Sequence, residues 1–75
     1  MKKYLLKIGD KSYYLFAEAS GWVIVKVMQP SGGLSRTLFR AADMDSAFQY
    51  VYTKHDGTIE KITMDDVEEI QQVQF

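Results

Sequence analysis

The side chains best suited to binding chemistry lie close together in residues 21–40, GWVIVKVMQPSGGLSRTLFR. This stretch holds the single tryptophan, Trp22, and three cations, Lys26, Arg36 and Arg40. Tryptophan and arginine dominate the binding energy of many protein interfaces. The same residue types can stack on a nucleobase and contact its phosphate. We therefore predict that these four residues contact a partner. The alternative for Trp22 is a place in the core or beneath the helix.

A second candidate group is acidic and lies towards the end of the chain: Asp65, Asp66, Glu68 and Glu69. These carboxylates could collect a divalent cation, but neighbouring residues on a helix point in different directions. The residue pattern of a calcium-binding loop is also absent. We predict a solvated acidic surface that takes part in partner binding and holds no metal.

The remaining candidates for chemistry favour a protein that is not an enzyme. His55 is the only histidine and there is no cysteine, so the usual zinc ligand sets cannot form. No histidine and acid are placed to activate a serine, and QPSGGLSR lacks the Gly-Lys-Ser ending of a phosphate-binding loop. We expect no catalytic residue and no cofactor, with His55 at a helix end where its partial positive charge suits the dipole.

The two parts of the chain carry opposite charge. Residues 1–40 hold seven basic and two acidic side chains, a net charge of +5, and residues 41–75 hold two basic and eight acidic ones, a net charge of −6. Such asymmetry can mark a surface for nucleic acid or for an acidic partner. It also arises when the two halves of a compact domain simply face each other.

The length of 75 residues predicts one domain spanning residues 1–75. An apolar content of 47% is ample for a core and argues against disorder. No apolar run approaches the roughly 20 residues that cross a membrane. Lys7 and Asp10 interrupt the N-terminal apolar run, and no signal-peptide cleavage site follows. We expect a cytoplasmic protein with no membrane partner.

Turn residues divide the first part of the chain into four predicted strands, at residues 2–8, 12–18, 22–28 and 34–40. The dividing turns are Gly9-Asp10-Lys11, Ser20-Gly21 and Pro30-Ser31-Gly32. Proline suits the second position of a type I turn, and glycine suits the left-handed position that follows it. The sequence therefore predicts an antiparallel β-meander of three to four strands.

The apolar spacing changes to that of a helix in the second part of the chain. Apolar residues recur at offsets of three and four between Met44 and Tyr52, with Asp43 as N-cap and Gly57 as the stop signal. The sequence then allows a short fifth strand over residues 58–62. Thr63 and Asp66 resemble a capping box, which predicts an acidic C-terminal helix over residues 64–73. The predicted class is a single α+β domain.

Alternation along the strands assigns side chains to the two faces of the sheet. One predicted face is almost wholly apolar and forms the core beneath the helix: Tyr4, Leu6, Ile8, Tyr14, Phe16, Val23, Val25, Val27 and Phe39. The other predicted face is both apolar and basic: Leu5, Tyr13, Leu15, Trp22, Ile24, Met28 and Leu38, with Lys3, Lys7, Lys26, Arg36 and Arg40. A face of this composition is not typical of an idle, solvent-exposed sheet surface.

The same pairing places Lys26 directly across from Arg36. Two like charges about 5 Å apart destabilise a pair of strands unless an anion lies between them. We therefore predict a carboxylate from residues 60–69 within reach of this pair. The negative charge can come from three sources: the acidic helix of the chain itself, a partner protein or second copy of the chain, or nucleic acid.

The order of elements over residues 11–53, three antiparallel strands followed by a helix, resembles small DNA-binding domains of plant transcription factors and of integrase arm-binding regions. In those families, arginines and lysines of the sheet enter the major groove. The resemblance is one of element order and assigns a role to no residue here. In size and composition the chain also resembles small accessory proteins of phages and mobile elements, many of which inhibit a host protein.

These features predict a non-catalytic small binding protein that acts by occupying a protein partner, as an inhibitor or accessory protein of the phage or mobile-element type does. The alternative is a nucleic-acid-binding module that uses the basic face of the N-terminal sheet. A homodimer is compatible with both hypotheses.

Overall fold

The described residues, 1–55 and 61–71, form one five-stranded antiparallel sheet and one α-helix in a computed structural model. The elements follow the order β1 (Lys2–Ile8), β2 (Lys11–Ala17), β3 (Val23–Val27), β4 (Phe39–Ala41), α1 (Met44–Lys54), a 3-10 turn (Met64–Asp66) and β5 (Val67–Ile70). The strand order across the sheet is β4-β3-β2-β1-β5. The predicted α+β class and antiparallel meander are confirmed.

Two of the turns depend on glycine. Gly9 has a φ of +60°, and the two-residue turn it forms with Asp10 leaves Ile8 paired with Lys11. Gly32 has a φ of +101° and closes the loop between Gln29 and Gly33, in which the Gln29 N–H donates to the Gly33 carbonyl at 2.9 Å. Glycine adopts this left-handed region without the steric cost that a Cβ brings. The predicted three-residue loop is confirmed.

The core lies between one face of the sheet and α1, but β2 presents the opposite set of side chains from the one predicted. Tyr13 and Leu15 are buried in the core, whereas Tyr14 and Phe16 lie on the other face. The hairpin between β2 and β3 has a three-residue loop, since the Glu18 N–H donates to the Trp22 carbonyl at 2.8 Å. The prediction assumed two loop residues, and a slip of one residue exchanges the faces of a strand.

The strand predicted over residues 34–40 is mostly wrong. An isolated bridge pairs Leu34 with Met28, and regular pairing resumes only where Phe39 lies opposite Val25. The pairing register differs by two residues between these points, so the chain bulges out around Arg36. The predicted pairing of Phe39 with Val23 is therefore replaced by its pairing with Val25. A bulge of this kind is common at the edge of a sheet.

Helix α1 begins as predicted. The Asp43 carboxylate accepts a hydrogen bond from the Ser46 N–H at 2.8 Å, which satisfies one of the unpaired donors of the first turn. Ala47, Phe48 and Val51 are buried against the core. His55 is the C-cap of α1, so it lies at the helix end as predicted. The predicted stop at Gly57 lies outside the described residues.

The C-terminal helix predicted over residues 64–73 is wrong for the part that the structure describes. The capping box of Thr63 and Asp66 is present, but it starts a single 3-10 turn. The chain then enters β5, which pairs with the free edge of β1. Apolar residues spaced strictly by three drift around an α-helix, whereas β1 offers a full set of backbone partners. Of the strand predicted over residues 58–62, residues 58–60 lie outside the described range and Lys61 and Ile62 belong to no strand.

Among the described residues, no helix is both long enough and apolar enough to cross a bilayer.

Candidate functional site

The face of the sheet opposite α1, called here the open face, combines apolar and charged side chains. The strand pairings place on it Lys3, Leu5, Lys7, Ser12, Tyr14, Phe16, Ile24, Lys26, Arg40, Glu68 and Ile70. Within residues 1–55 and 61–71, α1 is the only α-helix, and its buried residues belong to the core on the other face. The expected apolar and basic face therefore exists, with Tyr14 and Phe16 in place of Tyr13 and Leu15.

One end of the open face holds a cluster, called here the Trp22 corner, of Glu18, Trp22 and Arg40, with Leu38 two residues before Arg40 along the chain. The guanidinium carbon of Arg40 lies 4.4 Å from the centre of the Trp22 ring, within the range of a cation–π contact. Arg40 Nη2 also lies 3.8 Å from Glu18 Oε1. Trp22 is 39% exposed and the Arg40 side chain 57% exposed.

The sheet positions each member of the Trp22 corner. Glu18 and Trp22 face each other across the loop that joins β2 and β3. Arg40 pairs with Ile24 on β3, so its side chain reaches Trp22 from the neighbouring strand. Leu38 is anchored by its N–H, which donates to the Val25 carbonyl at 2.9 Å. Backbone hydrogen bonds on adjacent strands thus hold the Trp22 corner in one arrangement.

The structure places Lys26 and Arg36 apart from each other, contrary to the prediction. Lys26 is half-buried on β3 opposite Tyr14. Arg36 lies in the bulge before β4 and is exposed. The predicted like-charge pair does not form because the bulge removes Arg36 from the regular pairing of β3 with β4. Trp22 and Arg40 are brought together, Lys26 shares the open face with them, and Arg36 is close to them only along the chain.

The acidic segment does not neutralise Lys26 as predicted. Glu68 is on the open face, but it lies three strands from Lys26, or about 14 Å at the usual strand spacing. Glu69 points to the opposite face beside Tyr4. Among the described residues the one ion pair is Arg40 with Glu18, and Glu60 lies outside the described range.

The other two acidic candidates belong to the 3-10 turn. Asp66 Oδ2 accepts a hydrogen bond from the Thr63 N–H at 2.7 Å, and the Asp65 N–H donates to the Thr63 hydroxyl at 3.3 Å. Both aspartates are exposed. Asp66 therefore has a structural role as a cap, and neither residue lies on the open face.

Sequence reasoning missed Glu18 as part of the site. The sequence did contain a pattern that places Glu18 beside Trp22. The two residues flank the Ser20-Gly21 turn, and a three-residue loop brings residues four apart in the chain opposite each other. Its Oε1 atom is buried and has no hydrogen-bond partner among the described residues, so Arg40 is its nearest source of positive charge. Glu18 orients the arginine on the tryptophan ring.

His55 lies at the C-terminal end of α1, against the core. The His55 ring contacts Tyr13 edge-on, with ring centres 5.7 Å apart. Burial raises the pKa of the Tyr13 phenol above its usual value, and the nearby Tyr50 adds to the shift. Within residues 1–55 and 61–71 no three metal-ligating side chains come together.

The sequence matches no protein-family model, no curated protein matches it, and no solved structure matches the chain.

Proposed function

We propose that the protein is a non-catalytic binding protein that acts by occupying another protein, with the Trp22 corner as the anchor of the interface. The supporting observation is the stack of Arg40 on Trp22, which leaves 39% of the tryptophan and 57% of the arginine side chain exposed. Tryptophan and arginine are the residue types most enriched among those that dominate interface energies.

Preorganisation makes this pair suitable as an anchor. Immobilising a long side chain at an interface costs roughly 0.5–1.5 kcal/mol. Arg40 is already held between the Trp22 ring and the Glu18 carboxylate, 3.8 Å from its Nη2. Arg40 therefore loses part of its side-chain conformational entropy on folding, so less is lost when a partner binds.

The side chains around the anchor indicate the chemistry of the partner. Trp22 and Leu38, both more than a third exposed, suit an apolar side chain. The exposed guanidinium groups of Arg40 and Arg36 suit carboxylates or backbone carbonyls. The partner surface that fits is an apolar patch bordered by acidic residues, and a protein bound there would be blocked from its other ligands, as with an inhibitor of the phage or mobile-element type.

Nucleic acid is a poorer match for the same corner. Glu18 and Glu68 place carboxylates on the open face, where they repel phosphates. Arg40 also covers one side of the Trp22 ring, which leaves a single side for a base. The sheet cations still make nucleic acid the alternative that an experiment has to separate from a protein partner.

The test compares matched variants in partner capture from the native cells, followed by calorimetry with the purified partner. Trp22→Ala and Arg40→Ala should each weaken binding by about tenfold or more, as expected of anchor residues. Tyr52→Ala is the control, because Tyr52 is 36% exposed on α1, away from the Trp22 corner.

Two results would overturn the proposal. One is a partner whose affinity is unchanged by Trp22→Ala. The other is the absence of any captured protein, together with an oligonucleotide mobility shift that weakens steeply with salt, as counterion release requires. That second result would establish the nucleic-acid alternative.

A further inference from the structure

We infer that two copies of this chain pack open face to open face about a twofold axis parallel to the strands, with Glu68 of one copy against Lys26 of the other. The inference concerns the centre of the open face and does not rest on partner binding at the Trp22 corner. Three arguments carry it: the order of side chains along two rows of the sheet, the mixed polarity of those rows, and the position of β4.

The first row of side chains across the open face is Glu68, Leu5, Tyr14 and Lys26, on β5, β1, β2 and β3 respectively. It has an anion at one end and a cation at the other, and between them lie half-buried Leu5 and Tyr14, which is 8% exposed. A twofold axis that passes between β1 and β2 exchanges the two ends. Glu68 then meets Lys26 of the second copy, and Leu5 meets Tyr14.

The second row, one pleat further along, is Ile70, Lys3, Phe16 and Ile24 on the same four strands. The same axis brings Ile70 against Ile24 and Lys3 against Phe16. The first contact is apolar and the second is a cation over an aromatic ring, which is attractive. Both rows are therefore self-complementary under one symmetry operation, as an interface between identical copies requires.

The charge pattern selects this axis over the other simple one. An axis perpendicular to the strands would place β5 on β5 and β3 on β3. With that axis along the first row, Glu68 would face Glu68 and Lys26 would face Lys26, which repels in both cases. With the axis between the two rows, Glu68 would face Ile70 and Lys26 would face Ile24, so neither charge would meet an opposite one. Sheets packed with their strands nearly aligned, about 10 Å apart, are a common arrangement, and the long Glu and Lys side chains can span the small offsets that sheet twist introduces.

The paired area predicts a weak dimer. Four strands are about 19 Å wide, and five residues of strand are about 17 Å long, so the overlap covers about 300 Å² in plan on each copy. About 600 Å² for the two copies together is less than the roughly 1,000 Å² expected of a stable interface, so the association is weak and transient. Strand β4, which carries Arg40, extends beyond the four-stranded overlap, and Glu18 and Trp22 lie past its second row, at the ends of β2 and β3.

The experiment is sedimentation equilibrium of the full chain, from about 10 µM to about 1 mM, which covers dissociation constants as weak as about 1 mM. The wild-type protein should shift from monomer to dimer across this range. Lys26→Glu and Glu68→Lys should each raise the dissociation constant by about tenfold or more, because each altered contact occurs twice in a twofold dimer. The double variant Lys26→Glu/Glu68→Lys should return the dissociation constant to within about threefold of the wild-type value.

If the double charge swap restores the dimer affinity, the restored contact must be between two copies. Within one copy Lys26 and Glu68 lie three strands apart in the sheet and cannot contact each other. Circular dichroism of each variant establishes that it is folded. A wild-type protein that stays monomeric to about 1 mM would overturn the inference. A folded double variant no better than the single variants would overturn it too.

A second measurement covers the case in which a charge reversal prevents folding. The chain has no cysteine, so a Lys26→Cys/Glu68→Cys variant reports on the contact directly. A thiol-reactive cross-linker with a reach of about 8 Å should yield a covalent dimer, because facing side chains of sheets packed about 10 Å apart come within its reach, whereas the two positions within one copy lie about 14 Å apart. Neither single cysteine variant should cross-link efficiently. Efficient cross-linking of Glu68→Cys alone would show β5 against β5 and refute the axis.

Discussion

The hydroxyl of Ser35 accepts a hydrogen bond from the Val27 N–H at 3.1 Å and donates one to the Arg36 carbonyl at 2.7 Å. Ser35 is the one buried polar residue among those that the structure describes, 7% exposed. Its side chain takes the place of a backbone acceptor on β4, because the Val27 N–H would otherwise be left without a partner at the bulge. The Ser35 hydroxyl therefore stabilises the bulge by pairing the Val27 N–H.

Ser35→Ala should lower the free energy of unfolding by about 1–3 kcal/mol, the usual cost of leaving a buried donor unsatisfied. Chemical denaturation monitored by Trp22 fluorescence measures it. Ser31→Ala is the matched control, because Ser31 is exposed in the loop before β4. Equal stability of the two variants would show that the hydroxyl does not support the bulge.

Leu15→Ala should cost about 2–5 kcal/mol of stability, because Leu15 is fully buried in the core. Phe16→Ala should cost less, although it removes more atoms, because Phe16 lies half-buried on the open face. Urea denaturation at a protein concentration that keeps the chain monomeric compares the two. The reverse order of costs would mean that β2 faces the other way.

Phe39→Ala should weaken the attachment of β4 to α1. Phe39 stacks on Tyr50 with ring centres 4.5 Å apart and an angle of 1° between the ring planes. Aromatic pairs contribute about 0.5–1.5 kcal/mol beyond the burial of their area. Leu38→Ala is the control, since Leu38 and Phe39 are both 37% exposed and only Phe39 stacks. Thermal unfolding should show the larger loss for Phe39→Ala.

The N-cap Asp43 should make stability depend on acid pH. Hydrogen bonding from the Ser46 N–H lowers the pKa of the Asp43 carboxyl below its usual value of 3.8. A carboxyl whose pKa is lower in the folded state stabilises the fold above the unfolded pKa, and this contribution disappears as the pH falls through the folded pKa. The wild type should therefore lose stability on acidification in part through this residue.

Asp43→Asn separates this effect from the other carboxylates. Asparagine is also a good N-cap but does not titrate. The difference in melting temperature between the wild type and Asp43→Asn should be constant near neutral pH and should shift against the wild type below about pH 4. A difference that is the same at all pH values would contradict the role of the charged cap.

Local signals in the sequence were sufficient for two of the three turns between the predicted strands and for the start of the helix. Gly9 and Gly32 adopt the positive φ that their turns require, and Asp43 caps α1. Thr63 and Asp66 form the expected capping box. Each of these features depends on contacts between residues no more than four apart, so the residue types alone specify it.

The location of the candidate site was only partly predictable. Trp22 and Arg40 were singled out by residue type, but the sequence did not show that they would stack, nor that Glu18 would lie beside Arg40. Their contact depends on the pairing of β3 with β4, and the bulge at Arg36 sets that pairing. The same bulge removed Arg36 from the position opposite Lys26.

By itself the sequence determined the class of the fold, the positions of its tight turns, the start of α1 and the mixed apolar and basic character of one sheet face. Only the tertiary structure decided that Leu15 rather than Phe16 enters the core, and that residues 67–70 form a strand instead of a helix. Both strand and helix were compatible with the residue types of that segment. The free edge of β1 supplied the backbone hydrogen bonds that selected the strand, and the number of loop residues before β3 selected the face of β2.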